Sequence, residues 1–357
     1  MISRKLKSEK PHVDAICLGE LLIDFVAMQK DKGLAGARGF VKAAGGAPAN
    51  VAVGLARLGV QTAFVSKVGR DEFGYFLRET LRENHVNIDA VREECRSPTG
   101  IAFVSLTGRG DRDFLFYRTS CADAMLKPGE LPSRLFSQAC LFHFGSISLI
   151  QEPSRSATWH GVDLAQKNGL LISFDPNLRP SLWPNQRTMR KLVQKALECS
   201  HIVKLNQEEL AFLVRDGGPP ETLQRLRKPR NELLVVTLGQ LSCYYSTSNT
   251  EGFVTSFPVR PIDTTGAGDA FVAGLLSGVI QRLKRGQTIS ELHNDELYRV
   301  FRFANACGAT MTTTIVFMIG PHVDTIGCTI GWNVGTIAFT IALVTATMGD
   351  IVGSIEN

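Results

Sequence analysis

The chain has 357 residues, 44 % hydrophobic and 20 % charged, with 39 Lys and Arg against 34 Asp and Glu for a net charge of +5. At roughly 150 residues per domain, two domains or one large α/β domain are predicted. This composition excludes a wholly disordered chain, a collagen-like repeat and a small disulfide scaffold.

Residues 1–12 hold Arg4, Lys5, Lys7 and Lys10 against Glu9 and read as a basic, solvated tail. No apolar signal-peptide core follows it. Val13 to Leu18 reads as a buried strand stopped by Gly19. Ala49 to Leu58 has helical apolar spacing and ends at Gly59. Thr62 to Val68 is strand-like and Phe73 to Asn84 helical. The alternation continues with strands at Cys140 to Phe144, Leu170 to Phe174, His201 to Leu205 and Glu232 to Leu238. Helices are predicted at Ser154 to Lys167 and Gln186 to Leu197. Such alternation predicts a mostly parallel sheet covered on both faces. Phe25 to Lys42 and Pro98 to Arg118 break it. They are polar, contain Gly and are strand-like in part, at Ile101 to Leu106 and Asp113 to Tyr117, which predicts a small antiparallel flap outside the main sheet.

No Lys/Arg cluster is interleaved with aromatics, so no nucleic-acid partner is expected. The eight cysteines, at 17, 95, 121, 140, 199, 243, 307 and 328, form no C-x-x-C pair. Cys140 and His143 have C-x-x-H spacing without a second ligand pair. Reduced core thiols in a cytoplasmic protein are the expectation.

The sharpest chemical signal is Asp263-Thr264-Thr265-Gly266-Ala267-Gly268-Asp269-Ala270-Phe271, between a β-like run, Phe253 to Phe257, and an apolar helix, Ala270 to Leu283. Two glycines before a helix let N–H groups converge on an anion, and the helix dipole favours negative charge there. Asp269 at the helix start is placed to take a proton from a hydroxyl that attacks a phosphate. The plain alternative is a cap and a turn. Gly45-Gly46-Ala47-Pro48-Ala49-Asn50 permits close backbone approach to a ligand, with Asn50 offering donor and acceptor, though any strand-to-helix turn could read the same way. Gly19 to Asp24 carries a carboxylate, Asp24, expected at the end of the first strand, where it could hold sugar hydroxyls.

Together with Val68 to Gly74, Phe116-Tyr117-Arg118, Phe174 to Arg179, Leu205 to Glu209 and Val236 to Gly239, in this order, these pieces resemble the ribokinase-like (pfkB) carbohydrate kinases. Within that family the similarity is greatest to plant-type fructokinases, and it spans about residues 13–314. The resemblance implies a three-layer α/β/α core with a mostly parallel central sheet and a small β-sheet lid from about 25–42 and 98–118. It implies ATP-dependent phosphorylation of D-fructose to fructose 6-phosphate, feeding sucrose and starch metabolism. Asp24, Gly45, Gly46 and Asn50 would hold the sugar, with Arg118 closing over it. Asp269 would be the base, and Gly266, Ala267 and Gly268 the anion hole. Asn206 and Glu209 would serve Mg²⁺ and the nucleotide phosphates, Glu209 indirectly, and Thr237, Gly239 and Asn305 would lie near ATP. Asp263 and Thr265 would bind a monovalent cation such as K⁺. Asn177 and Arg179 fall in a motif near the phosphate site. A homodimer through the lid is a further possibility, and no membrane partner is expected. Two other readings stay open: a kinase for ribose, 2-keto-3-deoxygluconate or adenosine, and a catalytically impaired kinase-like binding protein.

The sequence departs from the family pattern twice. Ser242 stands where a Gly-x-x-Gly run has its second glycine, which would strain Ser242 if that position needs φ > 0. After Thr314 the family pattern gives way to Ile315 to Pro321 and a Thr/Ile/Gly-rich tail without charge from Thr325 to Met348. Residues 315–357 read as a C-terminus replaced by altered splicing or a misread gene, as a segment packed on the core, or as a membrane anchor. If the family's nucleotide and cation loop is not rebuilt there, ATP affinity and cation activation should fall.

Overall fold

A computed structural model describes residues 13–106, 112–214, 217–261 and 264–313. The basic tail, Asp263 and the 315–357 tail lie outside the described residues.

In chain order the first half runs β1 (Ala15–Leu18), β2 (Leu22–Ala27), β3 (Phe40–Gly45), α1 (Ala47–Arg57), β4 (Thr62–Gly69), α2 (Glu72–Glu83), β5 (Val91–Glu94), β6 (Gly100–Leu106), β7 (Arg112–Tyr117), α3 (Ser133–Gln138), β8 (Leu141–Phe144) and α4 (Ser154–Lys167). There follow β9 (Leu171–Phe174), α5 (Gln186–Cys199), β10 (Ile202–Asn206), α6 (Gln207–Leu213), α7 (Pro219–Leu226), β11 (Leu233–Thr237), β12 (Ser242–Ser246), β13 (Glu251–Thr255), α8 (Ala267–Lys284) and α9 (Asn294–Thr312).

The main sheet has the order β13-β12-β11-β10-β9-β8-β1-β4-β5. From β5 to β11 neighbouring strands are parallel, and β12 and β13 add an antiparallel edge. Its central strands are buried on both faces, as short, continuously apolar segments require. One face packs against α1, α2, α8 and α9 through Leu55, Leu77, Leu276 and Phe301. The other packs against α4, α5, α6 and α7 through Val162, Val193, Leu210 and Leu223. The result is the three-layer α/β/α arrangement.

The lid is a separate sheet, β3-β2-β6-β7. Two features differ from the sequence reading. The lid is mixed, because β2 and β6 pair in parallel. Asp24 is a residue of the lid strand β2, since β1 ends at Leu18 and the chain turns out of the main sheet at Gly19-Glu20. Phe25 and Phe103 stack at 5.3 Å, and Phe25 meets Phe73 of α2 edge-on at 5.7 Å, which anchors the lid on the core. No helix among the described residues is long and apolar enough to cross a membrane.

Candidate active site

Parallel strands deliver their following loops to one edge of a sheet, where ligands bind in open α/β folds. That edge gathers Glu20 after β1, Asp175 to Asn177 after β9, Asn206 at the end of β10, and Thr237 to Gly239 at β11. Helices α1 and α8 begin at the same edge. Asn50 Nδ2, in the first turn of α1, donates to Asp269 Oδ2 at 2.7 Å across 219 residues of chain.

Gly266 adopts a left-handed φ of 68° and turns the chain so that Ala267, Gly268 and Asp269 form the first turn of α8. The helix therefore starts three residues before the expected Ala270, because the small loop residues are already helical. The Ala267 N–H turns back to Thr264 O at 3.3 Å. The N–H groups of Gly268 and Asp269 fall where a helix has no acceptor of its own, and the dipole favours an anion there. Asp269 is buried, and a second amide, Asn177 Nδ2, stands 3.5 Å from its Oδ1. Asn177 itself has φ 44°, strained backbone of the kind that collects at working sites. Burial raises the Asp269 carboxyl above its ordinary value, against the pull of the Asn50 donor and of the Lys204 and Arg179 charges.

On the lid side, a Cβ on Gly45 would lie 2.4 Å from Asp24 Oδ2, so glycine is what admits that carboxylate. Glu20 Oε1 accepts from Ala47 N at 2.9 Å and fixes the Gly45–Gly46–Ala47 turn. Burial pushes the Glu20 carboxyl up to about 7, moderated by the nearby Arg118. Arg118, just past β7, has a largely covered side chain, 9 % exposed. Its Nη2 is ion-paired with Asp123, and its Nη1, beside Gly100 of β6, has no hydrogen-bond partner among the described residues. The structure thus ties Arg118 to the core through Asp123, with one nitrogen left over. Arg179, after β9, places its guanidinium 5.2 Å from the Phe114 ring of β7, linking core and lid.

At the ends of β10 and β11, Asn206 and Thr237 are register partners. Asn206 Oδ1 accepts from Glu209 N at 2.8 Å, and Glu209 Oε2 accepts from Asn206 N at 2.9 Å, a reciprocal cap at the start of α6. Glu209 Oε1 accepts from Leu178 N at 2.8 Å. Both carboxylate oxygens are thus taken up by backbone donors. No group of three or more His, Cys, Asp or Glu able to hold a metal stands together among the described residues. Each Glu209 oxygen accepts one backbone hydrogen bond and keeps one further acceptor site. Gly239 is left-handed at φ 62°, whereas Ser242 opens β12 as extended backbone, so its departure from the family glycine carries no strain. Asn305 Nδ2 donates to Val254 O at 3.1 Å and Thr255 O at 3.3 Å. The amide donors of Asn305 therefore bind α9 to β13 and are not presented to a nucleotide. Thr265 lies in the turn before Gly266, and its expected cation partner Asp263 lies outside the described residues.

The sequence reading missed Lys204 and Asp175. Lys204 Nζ donates to Asp175 Oδ2 at 3.1 Å inside the same edge. The available signal was a lysine in the middle of an apolar strand that is buried on both faces.

The comparisons agree with this architecture. The model of the pfkB family carbohydrate kinases matches residues 14–316. "Probable fructokinase-6, chloroplastic" of Arabidopsis thaliana is 45 % identical over 304 residues, covering 84 % of this chain and 77 % of the relative. Fructokinase-1 of Oryza sativa subsp. japonica is 44 % identical over 299 residues, covering 84 % and 91 %. The structure of fructokinase with bound ATP from Xylella fastidiosa superposes with a TM-score of 0.76 at 35 % identity, covering 84 % of this chain and 92 % of that one. A fructokinase double mutant from Vibrio cholerae O395, bound to fructose, ADP and potassium ion, gives 0.76 at 34 % identity, covering 87 % and 95 %. With its mostly parallel sheet, separate lid and this degree of identity, the chain belongs to the pfkB family of carbohydrate kinases and is an ATP-dependent sugar kinase.

Proposed function

We propose that the chain is a fructokinase, transferring the γ-phosphoryl group of ATP to the 6-hydroxyl of D-fructose. The observation that carries this reading is the Asp269 carboxylate, buried at the N-terminus of α8 and gripped by Asn50. The fructokinase relatives and the fructose and ADP in the Vibrio cholerae structure support the choice of substrate.

In the proposed step the hydroxyl oxygen bonds to the γ-phosphorus and its proton passes to Asp269. The bond from the γ-phosphorus to the β–γ bridging oxygen breaks, and its electron pair leaves on ADP. The Gly266–Ala267–Gly268 loop stabilises negative charge on the phosphoryl oxygens. Asp24, with Gly45, Gly46 and Asn50, would hold the sugar, and Arg118 Nη1 would approach it from the lid. Asn206, Thr237 and Gly239 would flank the nucleotide. Mg²⁺ would add positive charge to the nucleotide phosphates, with Glu209 acting on it through water. K⁺ would sit by Asp263 and Thr265. We place the protein in the cytoplasm, where its product would enter sucrose and starch metabolism, and assign a homodimer contact to the lid face that exposes Leu115 and Tyr117.

Asp269→Asn is expected to lower turnover by about 10³-fold, with fructose affinity by calorimetry within a few-fold of the parent. Parent-like turnover in this variant would sink the mechanism. Screening fructose, ribose, 2-keto-3-deoxygluconate and adenosine at fixed ATP tests the acceptor. The impaired-kinase reading is favoured by the loss of family pattern after Thr314. A folded chain that binds fructose without turnover would establish it.

A further inference from the structure

A lysine in the middle of a parallel strand covered on both faces is costly to keep, because an ammonium loses its hydration there. Lys204 is only 7 % exposed on β10. Among the described residues its one hydrogen bond goes to Asp175 Oδ2 at 3.1 Å, so two of its three N–H donors are uncommitted. Asp175 Oδ1 and the nearby Ser146 Oγ are buried without partners. A pair kept for packing alone would complete its hydrogen bonds. His143, on β8 two strands away across β9, is held neutral, its pKa lowered to about 3 by burial and by the Lys204 charge, and it bonds Ser173 Oγ at 3.1 Å. It competes with Lys204 neither as a cation nor as a partner.

The position of the ammonium gives the second observation. Among the described residues, a Cβ built on Gly268 would meet one atom within 4 Å, Lys204 Nζ at 3.2 Å. The missing side chain of Gly268 therefore opens the anion loop directly onto the ammonium. Around it stand Asp175, Glu209 and Asp269. Burial works against the charged lysine, but these three carboxylates outweigh it and hold Lys204 protonated.

We propose that Lys204 is a second catalytic residue of the transfer, donating from Nζ to a non-bridging oxygen of the γ-phosphoryl group as it passes the Gly266–Gly268 loop, with Asp175 as its positioning residue. The bonds made and broken are those of the proposed reaction: hydroxyl oxygen to phosphorus forms, phosphorus to bridging oxygen breaks, and the proton goes to Asp269. Lys204 keeps its own proton throughout. The inference rests on the sugar-kinase reading of the site. It supplies from the protein a fixed positive charge beside the transferred group.

The test compares Lys204→Met, Lys204→Arg, Asp175→Asn and Asp269→Asn. Lys204→Met is expected to lower kcat by about 10²–10³-fold, the scale for losing one preorganised donor, while KM for the sugar stays within twofold. Lys204→Arg restores part of kcat, and Asp175→Asn loses less than Lys204→Met. The second readout is inhibition by ADP with aluminium fluoride at saturating sugar, which mimics the phosphoryl group in flight. Lys204→Met should weaken it at least 30-fold, whereas Asp269→Asn, which lacks only the base, should leave it nearly unchanged. If Lys204→Met proves unstable, Lys204→Met/Asp175→Leu removes the orphaned carboxylate. Persistent loss of kcat in the stable double variant supports the proposal, and recovery of kcat overturns it. A loss below tenfold in Lys204→Met, or unaltered aluminium fluoride inhibition, also overturns it. A parent enzyme without turnover would defeat the sugar-kinase reading instead, and binding of ADP with aluminium fluoride, read by calorimetry, would still report on Lys204.

Discussion

Asp269 has its position fixed by residues from three separate stretches of chain. Asn50 from α1 and Asn177 from the loop after β9 face its two oxygens, and the first turn of α8 presents it. A buried carboxylate with few donors holds its proton more tightly than an exposed one, and here burial raises the Asp269 pKa. A base works only when deprotonated, so kcat/KM should fall as pH drops through a midpoint above the ordinary carboxylate value. Asn50 acts in the opposite direction, because its donor stabilises the charged form. Asn50→Ala should therefore move the acid limb to still higher pH, in addition to weakening the sugar. A pH–rate profile between pH 4.5 and 8 for parent and variant checks both, and an acid limb that stays in place would remove Asp269 as the titrating base.

At the level of elements, the anion loop is held from behind by α9. A Cβ on Gly308 would lie 3.2 Å from Ala267 O and 3.6 Å from the Phe271 Cβ. Gly308→Val would press on the first turn of α8 without touching Asp24 or Gly45. The expected result is a roughly tenfold lower kcat, since small displacements of positioned groups are costly in catalysis, with the sugar KM unchanged. Steady-state kinetics with varied sugar reads kcat and KM, and a thermal melt of the variant at its assay temperature separates this from general unfolding, which would also lower apparent kcat at unchanged KM by reducing the active fraction. The helices and strands that frame this region were legible because their periodicity is strong: Ser154–Lys167 was read to the residue. Asp24 was assigned to the wrong strand because Leu22 to Ala27 continues the apolar character of β1 beyond a Gly-Glu turn, and a single sequence does not show where a strand leaves one sheet for another. Strand β5, with only one fully buried residue in four, had too little apolar pattern to be seen.

At the level of the whole molecule, the parallel sheet explains why residues as distant as Glu20, Asp175, Asn206 and Thr237 meet at one edge. That convergence is topological, and the motifs signalled it only through their positions after apolar runs. Lys204 escaped the reading for the complementary reason: it lies within a strand, and its role depends on the Gly268 gap that only α8 packing reveals. In the proposed mechanism the base and the anion loop belong to α8, whereas the resemblance to the family implies that the pattern lost after Thr314 serves the nucleotide and the cation. Replacing the residues after Thr314 with the continuation found in Oryza sativa fructokinase-1 should therefore lower KM for ATP several-fold and increase activation by K⁺. The kcat at saturating ATP should change by less than twofold, because Asp269, Lys204 and Gly266 to Gly268 are untouched. ATP titrations of parent and chimera, each with and without K⁺, give the answer. Equal KM values and equal K⁺ responses would mean that the native tail already completes the nucleotide and cation sites. A chimera with greatly raised kcat at unchanged KM would mean that the tail acts on the anion loop through α9.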